Sequence, residues 1–71
     1  MMTLAEQAHY RKWPIPEDAI KRRTRVSAQR QLYLFIDNSI LIVDRDTLTD
    51  EVYTMYILPG DSRYAYYRRR L

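Results

Sequence analysis

The residues best suited to chemistry in this chain are four cations in one short stretch, Lys21-Arg22-Arg23 and Arg25. They follow Pro16-Glu17-Asp18, and a proline succeeded by two acids is typical of the first turn of a helix. A helix that contacts guanine edges and phosphates in the major groove of DNA needs long side chains with several N–H donors. The spacing therefore predicts a DNA-contacting helix that uses Lys21, Arg22 and Arg25.

The charge of the chain is divided into blocks. Residues 1–36 carry seven Lys or Arg against three acids, residues 37–61 carry one Arg against six acids, and residues 62–71 carry four Arg and no acid. This division predicts one basic face for nucleic acid, with an acidic side turned elsewhere. We expect the last residues, 68–71, to form a basic tail whose side chains attract phosphates without reading sequence: Arg68, Arg69 and Arg70.

Groups suited to catalysis are few. The chain has one histidine, His9, three serines and no cysteine, so neither a Ser-His-acid triad nor a Cys–His pair is predicted. We expect no enzyme activity, no cofactor and no disulfide. The acids Asp44, Asp46 and Asp50 resemble a calcium loop in content, but the glycine and the later oxygen ligands of an EF-hand are missing. A solvated loop, and no metal site, is predicted there.

Two short helices are predicted in the N-terminal third. Thr3 and Glu6 have the spacing of a capping box, which predicts a helix over residues 4–12 that Pro14 would end. The cations described above would lie on a second helix over residues 16–24. Joined by Trp13-Pro14-Ile15, the two helices are a helix-turn-helix candidate.

The rest of the chain favours antiparallel strands. Apolar and aromatic residues alternate over 32–36, the Asp37-Asn38-Ser39 segment suits a hairpin turn, and residues 40–43 form a return strand. A third strand is predicted over 52–58 and a fourth over 63–67. The predicted fold class is therefore α+β: an N-terminal helix-turn-helix over residues 3–25, followed by a three- or four-stranded antiparallel sheet over 30–67, in a winged-helix-like arrangement.

Size and hydropathy complete these expectations. A single domain of 71 residues buries only about 60% of the surface its unfolded chain exposes, so self-association as a homodimer would stabilise it. The longest apolar runs are far shorter than the roughly 20 residues that span a bilayer, and the first residues lack the pattern of a signal peptide. We expect a cytoplasmic location and no membrane partner.

A family resemblance agrees with the predicted helix pair. Thr3-Leu4-x-Glu6 followed by Pro14-x-Pro16-x-x-Ala19-Ile20-Lys21-Arg22 resembles, without a gap, the opening of the lambda-type phage excisionases, and Arg30 to Asp44 resembles their wing hairpin. The resemblance covers residues 3–44. It implies a winged-helix protein that binds double-stranded DNA and bends a recombination site, with Arg30 as a wing contact.

Two other functions remain open. The acidic middle, together with some of the seven tyrosines, would suit a phage-type inhibitor, such as an anti-defence or anti-CRISPR-like factor, that mimics phosphate charge on a protein partner. The residues of that protein-binding surface would be Asp44, Asp46, Asp50, Tyr53 and Tyr56. The tyrosines also suit cross-strand pairs, and those beside the C-terminal arginines suit a surface that stacks on bases or fills the pockets of a protein partner: Tyr53, Tyr64, Tyr66 and Tyr67. The third function is that of a structural subunit.

Overall fold

Four antiparallel strands form one sheet in which each strand pairs with its neighbour along the chain. The computed structural model describes residues 1–11 and 15–71. The strands are β1 (Ile20–Arg25), β2 (Arg30–Phe35), β3 (Ile40–Arg45) and β4 (Val52–Ile57). A helix, α1 (Leu4–Arg11), precedes them, and a shorter one, α2 (Tyr64–Arg68), follows. The expected α+β class with an antiparallel sheet is confirmed, but the four strands lie within residues 20–57 and not 30–67, and the helix-turn-helix of the expected winged-helix-like arrangement is not formed by the described residues.

The sheet is covered on both faces, which makes three layers. On the α1 face, Ala5 and Ala8 of α1 pack with Phe35 and Leu41. On the α2 face, Tyr64 and Tyr67 of α2 pack with a second cluster, which consists of Leu32, Leu34, Ile40, Ile42 and Ile57. Successive residues of a strand point to opposite faces, so β3 buries its side chains on both sides. That explains why Ile40 to Ile42 are consecutive and apolar.

The first turn of α1 is fixed to the turn that joins β2 and β3. The Leu4 N–H donates to Asp37 Oδ2 at 2.8 Å, and the Ala5 N–H donates to Ser39 Oγ at 3.1 Å. The predicted capping box is also formed, because the Thr3 N–H donates to Glu6 Oε1 and the Glu6 N–H donates to Thr3 Oγ1. Side chains from two segments thus satisfy the free N–H groups with which every helix begins.

The second predicted helix, over residues 16–24, is wrong. Only a 3-10 turn, Glu17–Ala19, follows the proline and the acids, and the chain then enters β1. Pairing with β2 decides this, because Arg23 lies opposite Tyr33 and Arg25 opposite Gln31. A basic run with so few apolar residues has no stripe to bury as a helix, whereas charged side chains suit the edge of a sheet. Lys12, Trp13 and Pro14, which include the predicted helix end and most of the linker, lie outside the described residues.

The fourth predicted strand, over residues 63–67, is also wrong, because this segment forms α2. Asp61 begins the turn: its Oδ1 accepts the Arg63 N–H at 2.8 Å, and its carbonyl accepts the Tyr64 N–H at 3.0 Å. Side-chain acceptors of this kind favour a helical start over an extended chain. The predicted basic tail continues from α2 in helical turns, and Leu71 packs against the core of the α2 face.

The two edges of the sheet differ in charge. One edge is β1, four of whose six residues are cations. The other edge is β4, whose six residues carry no charge and of which Val52 and Tyr53 are about half exposed. Like charges oppose the pairing of an edge with its own copy, whereas an uncharged edge permits it.

The Asp37 contacts make the stability depend on pH. Burial raises the pKa of Asp37, but hydrogen bonds from the Ser39 hydroxyl and from the N–H groups of Leu4 and Ser39 outweigh it and hold the pKa below its ordinary 3.8. A carboxylate with a lowered pKa stabilises the fold at pH values above its ordinary pKa, and that stabilisation is lost as the pH falls through the lowered value.

We expect Asp37→Asn to lower the free energy of unfolding by about 1 kcal/mol at neutral pH, as the loss of a helix cap does. Urea unfolding of the variant and the parent chain, at neutral pH and at a pH below the lowered pKa of Asp37, measures this. The two curves should converge at the lower pH. Asp18→Asn, at an exposed position, is the control with the same change of charge and should leave the stability unchanged. A constant difference at both pH values would contradict the role given to the ionised carboxylate.

Candidate nucleic-acid interface

The predicted DNA-contacting residues of the N-terminal half lie on the edge strand β1. All of them are exposed: Lys21, Arg22 and Arg25. The pairing register places Arg22 on the α2 face and Arg25 on the α1 face, while Lys21 lies at an irregularity between Ile20 and Arg22. The cations therefore surround the edge of the sheet.

The C-terminal residues meet this edge. The Arg22 guanidinium donates from Nη1 to the carbonyl oxygen of Leu71 at 3.2 Å. This contact brings together the two basic blocks, which are about fifty residues apart in the chain. We refer to the combined set as the basic surface: Lys21, Arg22, Arg25, Arg68, Arg69 and Arg70.

The cations of the basic surface keep their charge available. Four ion pairs occur within residues 1–11 and 15–71, and none of them includes a member of the basic surface. Arg23, the remaining cation of β1, pairs with Glu17 instead. The Arg70 guanidinium lies over the ring of Tyr66, 3.8 Å from its centroid. Stacking of this kind holds a guanidinium without neutralising it.

Arg30, the predicted wing contact, is held in an ion pair. Its Nε and Nη2 atoms donate to the two carboxylate oxygens of Asp44 at 2.7 and 2.8 Å, across the paired strands β2 and β3. The same hydrogen bonds hold the pKa of Asp44 below its usual range and raise that of Arg30. Because its charge is paired with Asp44, Arg30 attracts a DNA phosphate less strongly than the predicted wing contact would.

A cleft of about 730 Å³ opens beside this ion pair on the α2 face. The β1–β2 loop, the β3–β4 loop and α2 form its walls. We call it the tyrosine cleft, and its principal lining residues are Tyr53, Tyr66, Tyr67, Leu48, Arg70 and Asp46. The three tyrosines could be singled out from the sequence. Leu48 and the cleft itself could not be predicted from the sequence. The β1–β2 and β3–β4 loops come together only through the pairing register of the strands, which no local pattern of residues indicates.

The predicted protein-binding residues are divided between different environments. Asp44 is paired with Arg30, and Asp50 with Arg45 at 2.9 Å. Tyr53 lines the cleft, where its hydroxyl donates to Glu51 and the pKa of Tyr53 is raised. Tyr56 lies on the opposite face of the sheet, where its hydroxyl is 3.2 Å from that of Tyr10. The structure thus brings Asp44, Asp46 and Tyr53 together at the tyrosine cleft and leaves Asp50 and Tyr56 outside it.

The single histidine lies among structural contacts. His9 Nδ1 is 2.7 Å from Thr54 Oγ1, and the imidazole packs edge-on against the ring of Tyr56. In the part of the chain that the structure describes, no three His, Asp or Glu side chains are grouped so as to hold a metal ion. Within the same residues, neither helix has the length and apolar character needed to cross a membrane.

No protein-family model, curated protein or solved structure matches this chain. Its function must therefore be inferred from the placement of its own residues. Two features stand out: the basic surface at one edge of the sheet, and the tyrosine cleft on the face beside it.

We expect the Arg30–Asp44 pair to contribute about 0.5–1 kcal/mol, because it is bidentate and half-buried. A double-mutant cycle with Arg30→Gln and Asp44→Asn measures the coupling from urea unfolding. The Arg45–Asp50 pair is the control, since its side chains are 59% and 80% exposed against 35% for both partners here. Equal coupling in the two pairs would show that exposure does not decide their strength.

Proposed function

We propose that this chain is a small DNA-binding protein that holds the phosphates of double-stranded DNA on its basic surface. The observation that carries the proposal is the contact between Arg22 and the Leu71 carbonyl, because it joins two basic blocks into one surface. Six cations, none of which is paired with an Asp or Glu side chain of the described residues, are a strong electrostatic attraction for a polyanion.

The proposed DNA contacts come from the strand β1 and not from a recognition helix. In the winged-helix interpretation a helix enters the major groove, but a paired β-ribbon also fits there. The β1–β2 hairpin is such a ribbon, and its exposed edge carries Arg22 and Arg25. The arginines at the end of α2 and just after it, Arg68, Arg69 and Arg70, would then hold the adjacent phosphates. The proposed accessory or regulatory role at a DNA site of a phage or mobile element rests on the excisionase resemblance, although the segment that matches that family's second helix forms a 3-10 turn and β1 here.

The placement of the acids agrees with this orientation. The acidic β3–β4 loop connects the two strands farthest from β1 along the sheet. A DNA duplex that approaches the β1 edge therefore meets cations first, and the acidic loop adjoins the basic surface only across the tyrosine cleft. The alternative, an inhibitor that presents its acids to a protein, is less favoured because Asp44 and Asp50 are already paired with arginines.

The test is fluorescence anisotropy of a labelled duplex at about 50 and 200 mM salt, a range over which phosphate-driven binding weakens steeply. We expect binding that falls with salt and is strongly weakened in an Arg22→Gln, Arg25→Gln double variant. A triple change to Gln at residues 68–70 should weaken it on every duplex tested. It should also reduce the salt slope, by about one for each phosphate that is no longer neutralised.

The matched control is Arg45→Gln, an exposed arginine beside the acidic loop. It removes one positive charge without touching the basic surface and should bind as the parent chain does. Circular dichroism of each variant confirms that it remains folded. If no duplex binds at the lower salt concentration, or if Arg45→Gln weakens binding as much as the β1 changes do, the basic surface is not a DNA interface.

We also propose that a homodimer, where the chain forms one, pairs β4 with β4 of a second copy. The Asp46 N–H donates to the Glu51 carbonyl, so the Glu51 backbone carbonyl points toward the β3 side. Backbone groups alternate in direction along a strand, so the N–H and carbonyl of Val52 point away from β3 and are available to pair with a second copy. If the parent chain dimerises, its molecular mass measured by light scattering rises with protein concentration. We expect Val52→Lys to abolish that rise. Ala28→Lys, in the exposed β1–β2 loop, is the control. Unchanged self-association in Val52→Lys would exclude β4 as the interface.

A further inference from the structure

We propose that the tyrosine cleft receives an unpaired base of the DNA that the basic surface holds. This inference rests on the proposed function and adds a second class of contact to it: stacking on a base that has left, or never joined, the duplex. The class of ligand is a nucleobase within a polynucleotide, with its phosphates outside the cleft.

The exposed apolar surface of the protein is concentrated at this cleft. Nine large apolar or aromatic side chains are exposed in the described residues, and four of them line the cleft: Val26, Leu48, Tyr53 and Tyr66. Leu48 is 94% exposed at the tip of the β3–β4 loop. Surface aromatic side chains beside cations are the usual platform for bases, since every base has a face that stacks.

The charges around the cleft favour a base inside it and a phosphate outside. Within the cleft, Arg30 is neutralised by Asp44, so it attracts a phosphate only weakly. Asp46 also lines the cleft, and its Oδ1 accepts the N–H groups of Leu48 and Thr49. Its carboxylate repels phosphate, but its second oxygen can accept from a base amino group. Arg70 lines the same cleft and belongs to the basic surface, so it connects the two.

The dimensions agree with this occupant. A volume of about 730 Å³ lies within the range of small-molecule sites, roughly 300–1,000 Å³, and exceeds what one planar base needs. A base pair that remains stacked in a duplex cannot enter between two loops and a helix. The cleft thus selects bases that are single-stranded, bulged or flipped out of the helix.

The probes are two labelled duplexes of the same sequence, one fully paired and one with a single unpaired 2-aminopurine. Anisotropy reports binding, and 2-aminopurine fluorescence falls when the base stacks on another ring. Stacking contributes about 1–3 kcal/mol per base, which corresponds to roughly a tenfold preference or more for the bulged duplex. We expect that preference, and quenching of the unpaired base on binding.

The variants separate the cleft from the basic surface. Tyr53→Leu should abolish the preference and the quenching while binding the paired duplex as before, because Tyr53 contacts no cation of the basic surface. Tyr10→Leu, an exposed tyrosine on the α1 face, is the control and should keep both. The double change of Arg22 and Arg25 to Gln should weaken binding to both duplexes.

If neither duplex binds, the proposed function itself is overturned. Equal binding of the two duplexes, with no quenching, would leave DNA binding intact and overturn the assignment of the cleft. Loss of paired-duplex binding in Tyr53→Leu would also overturn it, because the cleft would then act as part of the phosphate contact. If the cleft instead binds a protein, the two duplexes will bind equally and without quenching. The cleft variants will then have no effect on DNA binding.

Discussion

A carboxylate at one hairpin turn sets the position of everything on one side of the sheet. Asp37 accepts hydrogen bonds from the first turn of α1 and from Ser39 in its own turn, so the same group closes the β2–β3 hairpin and aims the helix. Ser39, fully buried, adds a second acceptor for α1. In a chain this small, few apolar residues are available to orient a short helix, and directional hydrogen bonds supply what the packing of Ala5 and Ala8 alone does not.

With α1 fixed on one face, the other face is left for α2 and for the candidate site. β3 is buried on both sides, so the central strands act as a rigid partition between a structural face and a face that carries the cleft. The walls of the cleft are loops, which rigid strands hold in place at their ends. Binding residues on loops above a fixed scaffold are a common arrangement in proteins, because loops can vary without disturbing the core.

Local patterns accounted for much of this fold and for little of the site. The capping box at Thr3 and the turn at Asp37 act over a few residues, and Asn38 adopts the positive φ of 70° for which its side chain is suited, so α1 and the β2–β3 hairpin could be predicted. The basic segment could not, because pairing with β2, a tertiary contact, overrides its weak helical signal. The cations that we propose contact DNA could be named from the sequence, but their meeting with the C-terminal arginines depends on Leu71, whose position only the folded chain defines.

The order of the strands has a consequence for how the chain folds. Each strand pairs with the next one along the sequence, so the sheet assembles by closing short loops, and the entropy lost at each closure is small. Topologies rich in such local contacts fold quickly compared with sheets whose neighbours are distant in sequence. The contact between Arg22 and Leu71 is the opposite case, since it closes nearly fifty residues and forms only when β1 has joined the sheet and Leu71 has packed on the α2 face. The surface that we assign to DNA is thus a product of the completed fold, and an incompletely folded chain would carry the same charges without gathering them.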